Sequence, residues 1–231
     1  MSEHIENAPL QFARIRPDAP DSDLVKRAGQ ILTFKADTED YYRHVLGLER
    51  ISPDPPPNPD NADEIAKVVH MIKGEGVSRE RYSFVGAFAL GASEVDDISD
   101  NTDRDNGLRG LMVLRKPDGH CEGSAHRATE ITTWALRTSE RRKGLGRQLA
   151  IAGYLYTPWL GHPQDSLFTM VPTADTETMA SLGRYGFEPS NAEFVKDDTF
   201  DTPLQRLEVR NRAFMEAILG DELTHGAVAG N

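Results

Sequence analysis

The sequence predicts an α+β domain, and three observations carry that expectation. Stretches of alternating apolar and polar side chains mark strands, and runs with apolar residues three and four apart mark helices. The two kinds of stretch follow one another along the chain without an internal repeat. A chain of 231 residues suffices for one large domain or two small ones. Burying about 70–75% of its unfolded surface, a single domain of this size needs no disulfide or metal.

In chain order, Gln11 to Arg16 alternates and suits a half-buried strand that Pro17 ends. From Asp21, a suitable N-cap, Leu24, Val25, Ala28, Ile31 and Leu32 recur at helical spacing, and a second amphipathic stretch runs from Thr38 or Asp40 to about Leu48. Five of the seven residues from Pro53 to Pro59 are proline, which excludes helix interior and central strand and predicts a stiff surface loop. Helix resumes near Ala62, with Ile65, Val68, Val69 and Ile72 on one face. Tyr82–Leu90, Gly110–Leu114, Ala128–Leu136, Leu167–Val171 and Leu204–Val209 read as strands. Helices are expected from Leu145 to about Tyr156, over 176–185 and over Arg212–Leu219.

Charge and composition narrow the function. Lys and Arg number 26 against 37 Asp and Glu, a formal charge of −11 that disfavours bulk binding to nucleic acid or anionic membrane. No apolar run approaches the roughly 20 residues of a membrane span. The opening Met1-Ser2-Glu3-His4 lacks the basic-then-apolar pattern of a secretory signal, and Cys121 is the only cysteine, so the expectation is a reduced, cytoplasmic protein.

Against that acidic background, 137–147 holds five basic residues and one acid. A β-rich strand (Glu130-Ile131-Thr132-Thr133-Trp134-Ala135-Leu136) runs into a turn with Gly144 and Gly146, and a helix begins at once. Glycine admits a bulky anion to the backbone, and the first helical N–H groups lack internal partners. A solvated basic patch is the plainer account of the charge alone. The conjunction of strand, glycines and helix points to a phosphate site. A P-loop would need Lys-Ser/Thr where Arg147-Gln148 stands, and the dinucleotide fingerprint would need glycine where Leu149 stands.

Arg141-Arg142-Lys143-Gly144-Leu145-Gly146 resembles the Arg/Gln-x-x-Gly-x-Gly/Ala acetyl-CoA signature of the GNAT superfamily of N-acetyltransferases. The later strand Leu167–Val171 and Gly186-Phe187 stand where that family places them, and the order of elements over roughly 10–210 also matches. The resemblance implies a central mixed, mostly antiparallel sheet flanked by helices and splayed between the motif strand and the next. It implies one domain over 10–220, with an insertion about 52–61 and flexible tails at 1–9 and 221–231. It also implies acetyl transfer from acetyl-CoA to an amine, a small molecule or a peptide, by direct attack in a ternary complex without a metal.

Site roles follow from the same resemblance. Glu130 matches the general-base position of the histone-acetyltransferase-like branch, with a water-facing strand-edge Glu as the alternative. Strict alternation would put Glu130, Thr132, Trp134 and Leu136 on one face. Main-chain groups of Trp134, Ala135 and Leu136 would pair with the pantetheine arm, Leu136 N–H serving as oxyanion donor. The diphosphate would lie on the N–H groups of Arg142, Lys143, Gly144, Leu145, Gly146 and Arg147, next to Arg141. Asp175 stands where the family has Asn, to contact the pantetheine arm or cap a helix. The family's acid tyrosine is replaced by Leu182, and Tyr185, three residues on, would fall on the far side of a continuing helix. That departure keeps a rival open: a GNAT-fold module that binds acyl-CoA without turnover.

Other features carry less. The acidic 94–105 segment suits a solvated hairpin tip or an attractor of cationic amines. His120, Cys121 and His126 fall short of a zinc site, and Tyr154, Tyr156 and Trp159 suit core or rim. The apolar Phe214–Leu219 helix would cap the sheet of a monomer or pair in a homodimer.

Overall fold

The structure, a computed structural model, describes residues 10–75, 81–89, 107–116, 128–141, 143–157, 159–160, 165–190 and 195–219. Both tails, the 94–105 segment, the His120/Cys121/His126 group and Arg142 lie outside the described residues.

Among the described residues, eight strands form one sheet. The first four are β1 (Leu10–Arg14), β2 (Arg81–Ala89), β3 (Leu108–Lys116) and β4 (Ala128–Leu136). They continue with β5 (Ser166–Pro172), β6 (Glu188–Pro189), β7 (Val195–Lys196) and β8 (Pro203–Arg210). The order is β1-β2-β3-β4-β5-β8-β6, with β7 also on β8, and every pairing is antiparallel except β4 with β5. The expected strands all form. The two-residue β6 and β7 are additions, too short to show a period of two.

Helices α1 (Asp21–His44) and α2 (Ala62–Lys73) cover one face. Their core includes Leu24, Ile31, Phe34 and Val68, packed with Phe84, Leu111 and Val113 of the sheet. Helices α3 (Leu145–Tyr156), α4 (Thr176–Gly183) and α5 (Asn211–Leu219) belong to the other core, which gathers Met112, Leu114, Ile131, Leu149, Leu182 and Phe214. Burying each large side chain is worth about 1.5–3 kcal/mol, so the sheet is held from both sides.

Helix α1 corrects the expectation of two helices. The apolar period lapses after Leu32, but no Gly or Pro breaks the backbone between 33 and 44. Buried Phe34 keeps this stretch on the sheet, and the Thr33 and Thr38 hydroxyls donate to Gly29 O (3.0 Å) and Phe34 O (2.9 Å) within the helix. The N-cap is Pro20, and Asp21 instead pairs with Lys73 at the end of α2 (2.9 Å). Asn61 caps α2, accepting from the N–H groups of Asp63 and Glu64. No helix among the described residues is long and apolar enough to cross a membrane.

Candidate active site

β4 and β5 pair only at Ala128↔Ser166, Thr129↔Leu167 and Glu130↔Phe168. Beyond Glu130 they part, while β5 stays laddered to β8 as far as Pro172. At the vertex the Thr169 hydroxyl donates to Ile131 O (2.8 Å), a side-chain bond in place of the next ladder rung. The gap opens toward the C-terminal ends of two parallel strands.

Main-chain direction decides what faces this gap. Arg137 N–H donates to Arg109 O (2.9 Å), on the β3 side. N–H direction alternates along an antiparallel strand, so Ala135 also turns to β3 while Trp134 and Leu136 turn to the edge that β5 has left. Of the three main-chain positions expected to meet a pantetheine arm, Trp134 and Leu136 face the gap and Ala135 sits in the β3 ladder.

Helix α3 starts where β4 ends. Gly144 takes φ 77°, no side chain caps the helix, and the first helical bond runs from Gln148 N–H to Gly144 O (3.5 Å). The N–H groups of Leu145, Gly146 and Arg147 precede it and have no intrahelical acceptor. A Cβ at Gly144 would meet nothing within 4 Å. At Gly146 it would come only to 3.8 Å of Leu136 Cδ1 and 4.0 Å of the Tyr185 hydroxyl. The protein's own packing therefore does not demand glycine at 146. The turn has room for an external group, and its N–H groups and helix dipole select an anion.

The basic side chains around this turn are used unequally. Arg137 pairs with Asp37 (2.8 Å) and lies over the Phe34 ring, while Lys143 reaches Glu140 (3.3 Å). Arg141 Nε approaches Leu136 O (3.5 Å) and is otherwise exposed. Arg147 Nε donates to Ile218 O, tying the start of α3 to the end of α5.

Across the gap, Asp175 caps α4 by accepting from Thr178 N–H (3.0 Å) and also accepts from the Tyr41 hydroxyl (3.3 Å). Of the two roles expected for it, the cap is the one displayed; its side chain is part of a residue only 2% exposed. Burial and the nearby Asp175 carboxylate hold the Tyr41 phenol above its ordinary pKa. Neighbouring Tyr42 stacks edge-on against Phe200.

Two expectations about side-chain direction are overturned. The β3–β4 register slips between Val113↔Thr133 and Leu114↔Ile131, leaving Thr132 as a bulge. A bulge breaks the period of two, so Glu130 shares a face with Arg115, Thr133 and Ala135, the α1/α2 side. Trp134 and Leu136 stand on the α3 side, not beside Glu130. Tyr185 is not on the far side either: three residues are about 300° of a helix, within about 60° of Leu182, and the turn after Gly183 brings its ring onto Trp134 (centroids 5.0 Å apart). Leu182 is core, 8% exposed.

Glu130 sits at the vertex, its side chain 12% exposed and ion-paired to Arg115 across the ladder. Leu136 lies six residues further, about 20 Å along an extended strand. Sequence reasoning missed Arg115, Tyr41 and the nearness of Tyr185. Arg115 and Tyr41 need the register or the tertiary packing and carry no local signature, whereas the three-residue spacing from Leu182 is a local sign that Tyr185 lies near the same face.

No family model matches the chain, and no curated protein does. Solved structures do. Spermidine N-acetyltransferase from Vibrio cholerae, in complex with CoA and spermine, has a TM-score of 0.50 at 13% identity, covering 90% of this chain and 99% of its own. A candidate acetyltransferase of Acinetobacter baylyi has a TM-score of 0.51 at 10% identity, covering 90% and 94%. One of Staphylococcus epidermidis has 0.50 at 12%, covering 87% and 99%. With its mixed sheet parting between β4 and β5, the chain has the fold of the GNAT acetyltransferases.

Proposed function

We propose that this protein transfers an acetyl group from acetyl-CoA to an amine by direct attack in a ternary complex, in the cytoplasm. The observation that carries the reading is the gap beyond Glu130, edged by the main chain of Trp134 and Leu136 that β5 no longer pairs and ending at the uncapped start of α3. The CoA held by the V. cholerae enzyme of the same fold supports it.

Acetyl-CoA supplies the activated acyl group as a thioester. The N–H groups of Lys143, Gly144, Leu145, Gly146 and Arg147 cradle its diphosphate, and Arg141 adds positive charge at the rim. Trp134 and Leu136 hold the pantetheine arm by main-chain bonds, with Asp175 fixing the far wall. Glu130 takes the proton of the amine, which is mostly protonated at neutral pH and cannot attack until it loses one. The oxyanion role moves from Leu136 to Trp134. Trp134 N–H faces the same gap two residues nearer the base, about 13 Å along the strand, with water bridging the rest.

The second reading, an acyl-CoA-binding module without turnover, is favoured by Leu182, which offers no proton to a departing thiolate. Thiol release from acetyl-CoA across a panel of amines decides between them. Saturable release with any one amine establishes the enzyme, and CoA binding without release establishes the module. Absence of CoA binding overturns both. Glu130→Gln is expected to lower kcat at least 100-fold at pH 7 with CoA affinity held within about threefold. Unchanged turnover removes the base.

A further inference from the structure

Arg115 and Glu130 are register partners in the β3–β4 ladder, two residues from the bulge at Thr132. Arg115 Nε donates to Glu130 Oε2 at 2.7 Å, and Nη2 donates to the same oxygen. The guanidinium therefore forks onto one carboxylate oxygen and leaves Oε1 outside the pair. A side-on arrangement would engage both oxygens, whereas this one keeps both lone pairs of Oε1 outside the ion pair.

Exposure is graded along the pair, 34% for the Arg115 side chain against 12% for Glu130. The carboxylate is the deeper partner, at the last rung before β4 leaves β5. A glutamate has three rotatable bonds, and a base is effective only when one oxygen is held in a productive direction. Two donors on Oε2, from a residue anchored in the neighbouring strand, fix that direction.

We propose that Arg115 is the positioning residue of Glu130, orienting Oε1 from the vertex of the β4–β5 gap toward the water that relays the proton of the incoming amine. The proposal rests on Glu130 as base. Arg115 acts through Glu130 and touches neither acetyl-CoA nor the amine.

The test is a double-mutant cycle on the full chain, reading kcat and both KM values. Arg115→Met should lower kcat 10- to 100-fold, with KM for acetyl-CoA within twofold. Arg115→Lys, which restores a cation but not the two-donor fork, should recover part of the loss and not all of it. In a Glu130→Gln background, Arg115→Met should change kcat by less than twofold, since the base it orients is gone. Equal losses in both backgrounds would overturn the proposal and make Arg115 a general structural support. Full activity in folded Arg115→Met would also overturn it. Should Arg115→Met fail to fold, Arg115→Lys carries the same cycle: a loss of kcat in the wild-type background alone supports the proposal, and no loss, or the same loss in both, refutes it. If Glu130→Gln keeps full turnover, the base assignment falls and this inference with it; if Glu130→Gln is crippled and the cycle is additive, only the inference falls.

Discussion

The indole N–H of Trp134 donates to the carbonyl oxygen of Gly146 at 3.3 Å. One bond thus ties the parted edge of β4 to the first turn of α3, the two surfaces that bound the candidate cofactor cleft. Trp134→Phe keeps an aromatic ring against Tyr185 and Phe214 and removes the donor together with part of the indole's bulk. A hydrogen bond of this kind is worth about 1 kcal/mol net. The variant should lose about 2–4 °C in Tm and bind CoA at least threefold more weakly by calorimetry. Unchanged affinity would show that this bond does not set the spacing of the cleft.

Gly146→Ala separates stability from binding. Alanine favours helix over glycine by about 1 kcal/mol, and its methyl would meet protein atoms only at ordinary contact distance. Thermal stability should therefore hold or rise. A methyl at 146 nonetheless stands in the space the turn leaves open, and CoA affinity should fall at least tenfold. A variant that binds CoA as well as the wild type would remove the cradle from the mechanism.

Tyr42 predicts an alkaline limb in stability. Burial first, then the Asp175 and Asp197 carboxylates, push its phenol up to about 12. The folded state keeps this proton between pH 10 and 12 while the unfolded chain loses it. The contribution is therefore complete below about pH 10 and is lost as pH rises through 12, on the order of 2 kcal/mol in all. Urea unfolding at pH 9 and pH 11.5 should show the drop. Tyr42→Phe, which keeps the ring edge-on to Phe200, should show a smaller one. An equal decline in both proteins would assign the limb to other groups.

What the sequence made legible and what it hid divide along physical lines. The strand, turn and helix over 128–149 were readable because period two, paired glycines and period 3.6 follow within a few residues of one another. The unbroken α1 was not, since its polar stretch after Leu32 is held by Phe34 packing on the sheet and not by local pattern. The bulge at Thr132 carries neither Gly nor Pro, so nothing local announced that Glu130 and Trp134 would face opposite ways. Arg115 meets Glu130 only through strand register, 15 residues apart in sequence. Tyr185 stands three residues from Leu182, about 60° away around a helix, so their spacing alone already keeps the two near one face; the contact with Trp134 comes from the turn after Gly183.

The seating of α3 rests on Gly153, and this gives the last prediction. A Cβ built there would come within 2.3 Å of Met112 Sδ, from a side chain that is fully buried in β3. Helix propensity alone favours Gly153→Ala by about 1 kcal/mol. Overpacking opposes it by about 1–3 kcal/mol, because the flexible thioether must turn within a filled core. The core term should win, giving net destabilisation of about 1 kcal/mol in urea with an unchanged m-value. Met112→Ala alone opens a cavity and costs about 2–5 kcal/mol. In the double variant the new methyl occupies part of that cavity and no longer meets sulfur, so the loss should be smaller than the sum of the two single losses by 1 kcal/mol or more. Strict additivity would mean that α3 sits at this height on the sheet for some reason other than the missing side chain at 153.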